Sequence, residues 1–207
     1  MSIILKYFAD LSDRQIDQFD AMYALYTDWN SKINVISRKD MDYFFERHVL
    51  HSLAISKIIS FIDGTQVLDV GTGGGFPGIP LSILFPNTHF CLVDSIGKKI
   101  KVVNDVSNKL QLNNVTAIHE RVENIDQHFE FVVSRAVTNM PQFLSWVSNR
   151  FSTRQRNKLA NGILYLKGGD LSNEMALVSR SYQYFNLHEH FQEEFFKTKR
   201  VVHIPMV

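Results

Sequence analysis

Val67-Leu68-Asp69-Val70-Gly71-Thr72-Gly73-Gly74-Gly75-Phe76-Pro77-Gly78-Ile79-Pro80 reads as a strand, a glycine-dense turn and the opening of a helix. The apolar run stops at Asp69-Val70, and the helix is expected to start near Pro77. Proline in a first helical turn gives up an N–H that has no partner there anyway. Glycines let the backbone bend sharply and approach a ligand closely, because no Cβ intervenes. The turn also presents backbone N–H groups at a helix N-terminus.

Two cofactor patterns compete for this turn. A dinucleotide fingerprint is Gly-x-Gly-x-x-Gly. Counted from Gly71, its sixth position is Phe76; counted from Gly73 it reaches Gly78, but with a proline inside the phosphate-binding turn. Asp69-x-Gly71-x-Gly73-x-Gly75 fits without strain. A carboxylate there repels a pyrophosphate, whereas S-adenosylmethionine carries a sulfonium and an ammonium and no phosphate. The turn is therefore read as a site for S-adenosylmethionine, with a ligand-free tight turn as the plain alternative. A second acid, Asp94, follows the next apolar run, where it suits ribose hydroxyls or the cap of the following helix.

Outward from the turn, short apolar runs recur at 66–70, 89–93, 115–119, 129–133 and 162–166. Helical segments fall between them, at 77–85, 96–112 and 140 to about 160. This alternation implies βαβ units and a mostly parallel sheet covered on both faces, an α/β Rossmann-like fold. A helix is expected near 170–180, then a terminal antiparallel hairpin from 182–191 and 200–206. Residues 1–62 carry helical spacing only. Ser12 is the N-cap candidate, Ile16, Phe19, Tyr23 and Tyr26 form the apolar stripe, a loop is expected at 34–38, and a second helix at about 40–60. The division expected is a helical region, 1–62, packed on a Rossmann-like domain, 63–207. Trp29 and the aromatic stripe are read as packing.

The 207 residues are 45% hydrophobic and 21% charged, with a formal net charge of +1. The chain is not basic as a whole, so any nucleic-acid surface must be local. Basic residues cluster at Lys98, Lys99 and Lys101, at Arg150 to Lys158, and at Lys197, Lys199 and Arg200. The single cysteine, Cys91, sits in an apolar run and excludes an internal disulfide. No apolar stretch approaches the roughly 18 residues of a membrane span. The N-terminus lacks the order of a secretion signal, and a cytoplasmic protein is the simplest reading. His48 and Ser52 sit one helical turn apart without a His-Glu-x-x-His pattern, so no metal is expected.

Ligands of an open parallel sheet bind outside the carboxyl ends of its strands. Asp69, Asp94, Arg121 with Glu123, Ser134 with Arg135, and Lys167 with Gly168 and Gly169 all follow apolar runs and should share that edge. Val122 and Glu123 are placed beside the adenine, and Arg135 near the substrate.

Several further stretches join the turn: Trp29-Asn30, Ile33 to Arg38, Arg47-His48 with Ser52-Leu53, Asp94-Ser95 with Lys98-Lys99, Arg121-Val122-Glu123, Ser134-Arg135-Ala136 and Leu166-Lys167-Gly168. With Gly75-Phe76-Pro77-Gly78-Ile79-Pro80-Leu81 they make the chain resemble, over nearly its full length, the bacterial 16S ribosomal RNA methyltransferase G family. The resemblance implies a class I S-adenosylmethionine-dependent fold with seven strands, the terminal one antiparallel. It implies transfer of a methyl group to N7 of a guanine in 16S ribosomal RNA, with cofactor contacts at Gly71, Phe76, Val122, Glu123 and Arg135. The partner implied is 16S rRNA or the 30S subunit, with no membrane and no obligate protein partner evident. The family often has Asp where this chain has His51, which leaves the role of that position open.

Guanine N7 is a free lone pair, so attack needs no base, and rate comes from alignment. No catalytic residue is assigned; Arg135 and Lys167 are the positioning candidates. RNA-binding candidates are Asn34, Arg38, Arg47, His48, Lys98 and Lys167, with a structural hydrogen bond as the second reading of His48. Three rivals stay open: a nicotinamide-dependent oxidoreductase, a small-molecule methyltransferase, and a non-catalytic RNA-binding or assembly factor.

Overall fold

The computed structural model describes residues 1–207, except that the side chain of Arg38 lies outside the described residues. Strands β1 (Gln66–Val70), β2 (His89–Asp94), β3 (Val115–His119), β4 (Phe131–Arg135), β5 (Gly162–Gly168), β6 (Gln183–Asn186) and β7 (Lys199–Pro205) form one sheet. Their order is β3-β2-β1-β4-β5-β7-β6, with β7 antiparallel to both neighbours. The chain runs outward through β2 and β3, then returns to place β4 beside β1. That reversal opens a crevice at the carboxyl ends of β1 and β4, where open α/β sheets bind their ligands.

Period-two alternation decides what faces each way. Val67, Phe131, Val133, Leu166 and Val201 join one buried cluster, and Leu68, Val70, Val132, Tyr165 and Val202 join the other. The first face is covered by α1 (Ser2–Tyr7), α2 (Asp13–Lys32), α5 (Gly78–Leu84) and α6 (Gly97–Lys109). A helical run also covers it, beginning as a π-helix at Phe44–Leu50, passing through α4 (His51–Leu53) and tightening to 3-10 geometry at Ala54–Lys57. A short α3 (Arg38–Met41) precedes that run. The second face is covered by α7 (Met140–Val147) and α8 (Ser172–Met175). Asp69 and Arg135 fall on the first face by the same alternation, among the residues brought by the amino-terminal helices.

Ser12 caps α2 through a reciprocal box with Gln15. Phe19, Met22 and Tyr26 are buried in the same cluster as Phe90 and Leu92, so residues 1–62 share their core with the sheet. Three elements differ from expectation. Strand β4 starts two residues late, because Phe129 leaves the ladder to bridge Phe151, exchanging hydrogen bonds with Arg150 and Ser152. Arg135 thereby becomes the last residue of the strand instead of part of a turn.

Helix α7 ends at Val147 rather than near 160. Beyond it, Gln155 and Asn161 side chains satisfy the backbone that a helix would have paired internally. Helix α8 covers four residues of the expected 170–180. The terminal runs do pair, and β7 inserts between β5 and β6. Among the described residues no helix is long and apolar enough to cross a membrane.

Candidate active site

Asp69 ends up fully buried beneath the glycine turn. Its Oδ2 accepts from Thr72 Oγ1 at 2.6 Å and from the Gly78 amide at 2.8 Å, tying the strand end to the start of α5. Its Oδ1 is buried without a hydrogen-bond partner. Burial pushes the carboxyl pKa up to about 7 against the pull of Thr72, Gly78 and Arg135. A buried oxygen ordinarily has a hydrogen-bond partner, so this one is open to a proton or to a further donor.

The turn is braced from the amino-terminal helices. Tyr26 Oη donates to the Gly74 carbonyl at 2.6 Å, and Val35 Cγ1 fills the place that a Cβ on Gly74 would take. Asn30 holds Val35 in position: its Oδ1 accepts from the amides of Val35 and Ile36, each at 2.9 Å. Lys99 Nζ donates to the Asn34 carbonyl at 2.8 Å, which fixes the same loop to α6. Sequence reasoning placed Tyr26 in the packing stripe and gave Asn30 no part in the site.

Gly71 has φ +64, and a Cβ there would collide with Val137 Cγ2. Gly71→Ala should therefore both strain the backbone, by about 1–2 kcal/mol, and push away the loop after β4. The expected result is at least tenfold weaker S-adenosylmethionine binding in calorimetry with a folded circular dichroism spectrum. Unchanged affinity would mean that this turn does not form the site.

Beside the turn, a cavity of about 430 Å³ opens at the ends of β1, β2 and β3, walled by Val137 and Trp146. Asp94, Val122 and Glu123 line it, with Gly71 at its edge. Asp94 Oδ2 accepts from the Gly73 amide at 2.9 Å and Oδ1 from the Ile96 amide at 2.8 Å, so it clamps the turn to the following helix. Each oxygen keeps a second lone pair. The lining combines three acids, Asp94, Glu120 and Glu123, with apolar Ile96, Val122 and Val137 and one cation, Arg121. That donor set fits a nucleoside with free hydroxyls and fits a pyrophosphate poorly. The larger cavity, about 740 Å³, lies at the amino edge of the sheet, lined by residues such as Gln18, Asn87 and Asn114.

Phe76 does not reach the cavity. It is buried against Tyr26, Phe44 and His48, with the Arg135 guanidinium 5.2 Å from its ring centroid. Arg135 donates from Nη1 to the Arg47 carbonyl and from Nη2 to His48 Nδ1, both at 3.0 Å. Desolvation lowers its pKa to about 10, with Asp69 and Tyr26 opposing, so it stays cationic at neutral pH. Burial and the charge of Arg135 pull His48 down to about 3. His48 is neutral, an acceptor through Nδ1, and the proton resides on Nε2, which is buried and unpartnered.

The remaining candidates scatter. Asn34 and Lys98 are exposed at the rim, and the side chain of Arg38 lies outside the described residues. Arg47 pairs with Asp40 at 3.0 Å and stacks on Tyr43. Lys167 turns inward: its Nζ meets Glu174 and the Thr138 carbonyl, both at 2.7 Å. Tyr165 Oη accepts from the amides of Val137 and Thr138, and with Lys167 it fixes the loop after β4. Lys167 thus holds protein backbone, where the sequence pattern suggested a hold on RNA. His51 is buried edge-on to Phe195 and Phe196. Burial pushes the Cys91 thiol up to about 11, in keeping with a packing residue.

Comparisons with known proteins agree with this geometry. The chain is 57% identical over 205 residues to the ribosomal RNA small subunit methyltransferase G of Cytophaga hutchinsonii, covering 99% of each. It is 53% identical over 206 residues to the protein of that name from Bacteroides fragilis (strain ATCC 25285), covering 100% of each. Among solved structures it is similar in fold to a SAM dependent methyltransferase from Aquifex aeolicus (TM-score 0.59, 15% identity, 83% of this chain and 100% of that one). It is also similar to a precorrin-6y C5,15-methyltransferase from Geobacter metallireducens (TM-score 0.55, 14% identity, 83% and 90%). The family profile described as GidB, rRNA small subunit methyltransferase G, matches residues 15–202, and the chain belongs to that family.

Proposed function

We propose that this chain transfers the methyl group of S-adenosylmethionine to N7 of a guanine in 16S ribosomal RNA, in the cytoplasm. The observation that carries the reading is the buried Asp69 carboxylate, with one oxygen unpartnered, beneath a glycine turn at the switch point of the sheet. The bound cofactor supplies an electrophilic methyl on a cationic sulfur.

Asp69 offers negative charge to that cation through the turn, and Asp94 offers its free lone pairs to ribose hydroxyls. Val122 and Glu123 flank the base of the nucleoside. Arg135, fixed by Arg47 and His48, presents a held cation to the carboxylate end or to the entering base. Guanine N7 carries its own lone pair, so the chain need only align and desolvate the two partners. Neutral His48, already occupied as an acceptor, has no proton to abstract in such a reaction. The base must be single-stranded or flipped out to reach a site recessed behind these loops.

The test incubates the protein with methyl-labelled S-adenosylmethionine and 30S particles from a strain lacking the enzyme, then maps the label. Label at N7 of one guanine of 16S rRNA is the expected outcome. Label elsewhere, or tight NAD(H) binding with none of S-adenosylmethionine, overturns the reading.

A further inference from the structure

Strand β7 runs against β5, so its first residues stand at the carboxyl edge of the sheet beside Gly168. Lys199 projects to the same face as Asp69 and Arg135 and lies across the bare backbone of Gly168. A Cβ on Gly168 would be 2.8 Å from Lys199 Nζ. The neighbouring cation, Arg200, turns to the other face over Tyr184. Three cations near this edge are paired, Arg47 with Asp40, Lys167 with Glu174 and Lys197 with Glu194, and Arg135 is held by the Arg47 carbonyl and His48. Lys199 forms no ion pair among the described residues.

Its surroundings lead directly to the candidate site. Lys199 Nζ lies 4.8 Å from the Phe195 centroid, and the Arg47 guanidinium lies 5.8 Å from the same centroid. The Arg47 carbonyl holds Arg135. His51, whose imidazole pKa is lowered first by burial and then by Arg135 and Lys199, packs edge-on against the same Phe195 ring. Gly169, with φ +79 and open space around it, leaves the edge accessible to a bulky anion.

We propose that Lys199 is a phosphate-binding residue: an RNA backbone phosphate near the target guanine docks across the ends of β5 and β7, beside Arg135. This rests on the RNA methyltransferase reading. Lys167, the strand-end lysine that the sequence pattern offers for such a contact, is already occupied; Lys199 supplies the uncompensated charge. An ammonium acts here as a point charge, so recognition is of the phosphate and carries no base sequence.

The test compares wild type, Lys199→Gln, Lys199→Arg and Lys197→Gln on unmethylated 30S particles across a salt series, with cofactor affinity measured separately. For Lys199→Gln the KM for particles should rise roughly five- to tenfold at low salt, and the salt slope should shrink by about one. Its kcat and its S-adenosylmethionine affinity should stay at wild-type values. Lys199→Arg should restore most of the loss, and Lys197→Gln should behave as wild type. A Lys199→Gln enzyme with wild-type KM and salt slope overturns the proposal, as does one impaired only in kcat. A wild-type protein that binds the cofactor but methylates no particle refutes the underlying reading instead, and the phosphate site with it.

Discussion

Replacing Arg135 by methionine should lower kcat/KM by about 10²–10³ while the chain stays folded. Truncating one member of a buried, hydrogen-bonded charge network costs on the order of 2–5 kcal/mol. Methionine keeps the bulk over Phe76 but removes both donors, leaving the Arg47 carbonyl and His48 Nδ1 without their partner. It also removes the cation that helps hold down the pKa of Asp69. The variant should therefore shift the pH dependence of cofactor affinity upward as well as lose activity. Isothermal titration at several pH values and single-turnover kinetics measure the two effects. Full activity in Arg135→Met would remove Arg135 from the site.

Asp69→Asn should separate stability from binding. The Asp69 carboxyl has its folded pKa raised to about 7 from an ordinary 3.8, so the folded state holds a proton that the unfolded chain has released across that interval. The contribution of this carboxyl to the stability of the cofactor-free protein, read as wild type minus Asp69→Asn so that the opposing buried histidines cancel, must then fall as pH rises from about 4 to about 7 and level off above. A shift of this size corresponds to about 4 kcal/mol. Asparagine can still accept from Thr72 and Gly78, and it cannot ionise. It should lack this loss, so its stability relative to wild type should grow from about pH 4 to about 7 and be at least equal to wild type at pH 8, by chemical denaturation. A cationic ligand favours the ionised form, so wild-type affinity for S-adenosylmethionine should rise with pH toward 8. The variant should lose that rise and bind about thirtyfold more weakly at pH 8, on the order of 2 kcal/mol for a hydrogen bond to a charged group. A stability difference between wild type and variant that does not change between pH 4 and 7 would show that Asp69 ionises normally.

What sequence could reveal followed the range of the interactions. The strand–turn–helix around Asp69 was legible because it lies in consecutive residues, and strand–helix alternation is likewise a local signal. The bounds of β1 and β3 came out as expected for the same reason. The brace from Tyr26 to Gly74 spans 48 residues, and nothing in an apolar stripe marks which tyrosine keeps a free hydroxyl for a distant carbonyl. Lys167 and Lys199 look alike in sequence. Only the antiparallel insertion of β7 and the carboxylate of Glu174 show which is occupied. The late start of β4 depends on Phe129 finding Phe151, a contact outside any periodic pattern.

The contact of Val35 and Tyr26 with Gly74 has a consequence for how such enzymes can be recombined. The amino-terminal region is no detachable recognition cassette, because it braces the glycine turn itself. A chimaera taking its first sixty residues from a distant methyltransferase would inherit a turn with an unsatisfied carbonyl and an unfilled hollow.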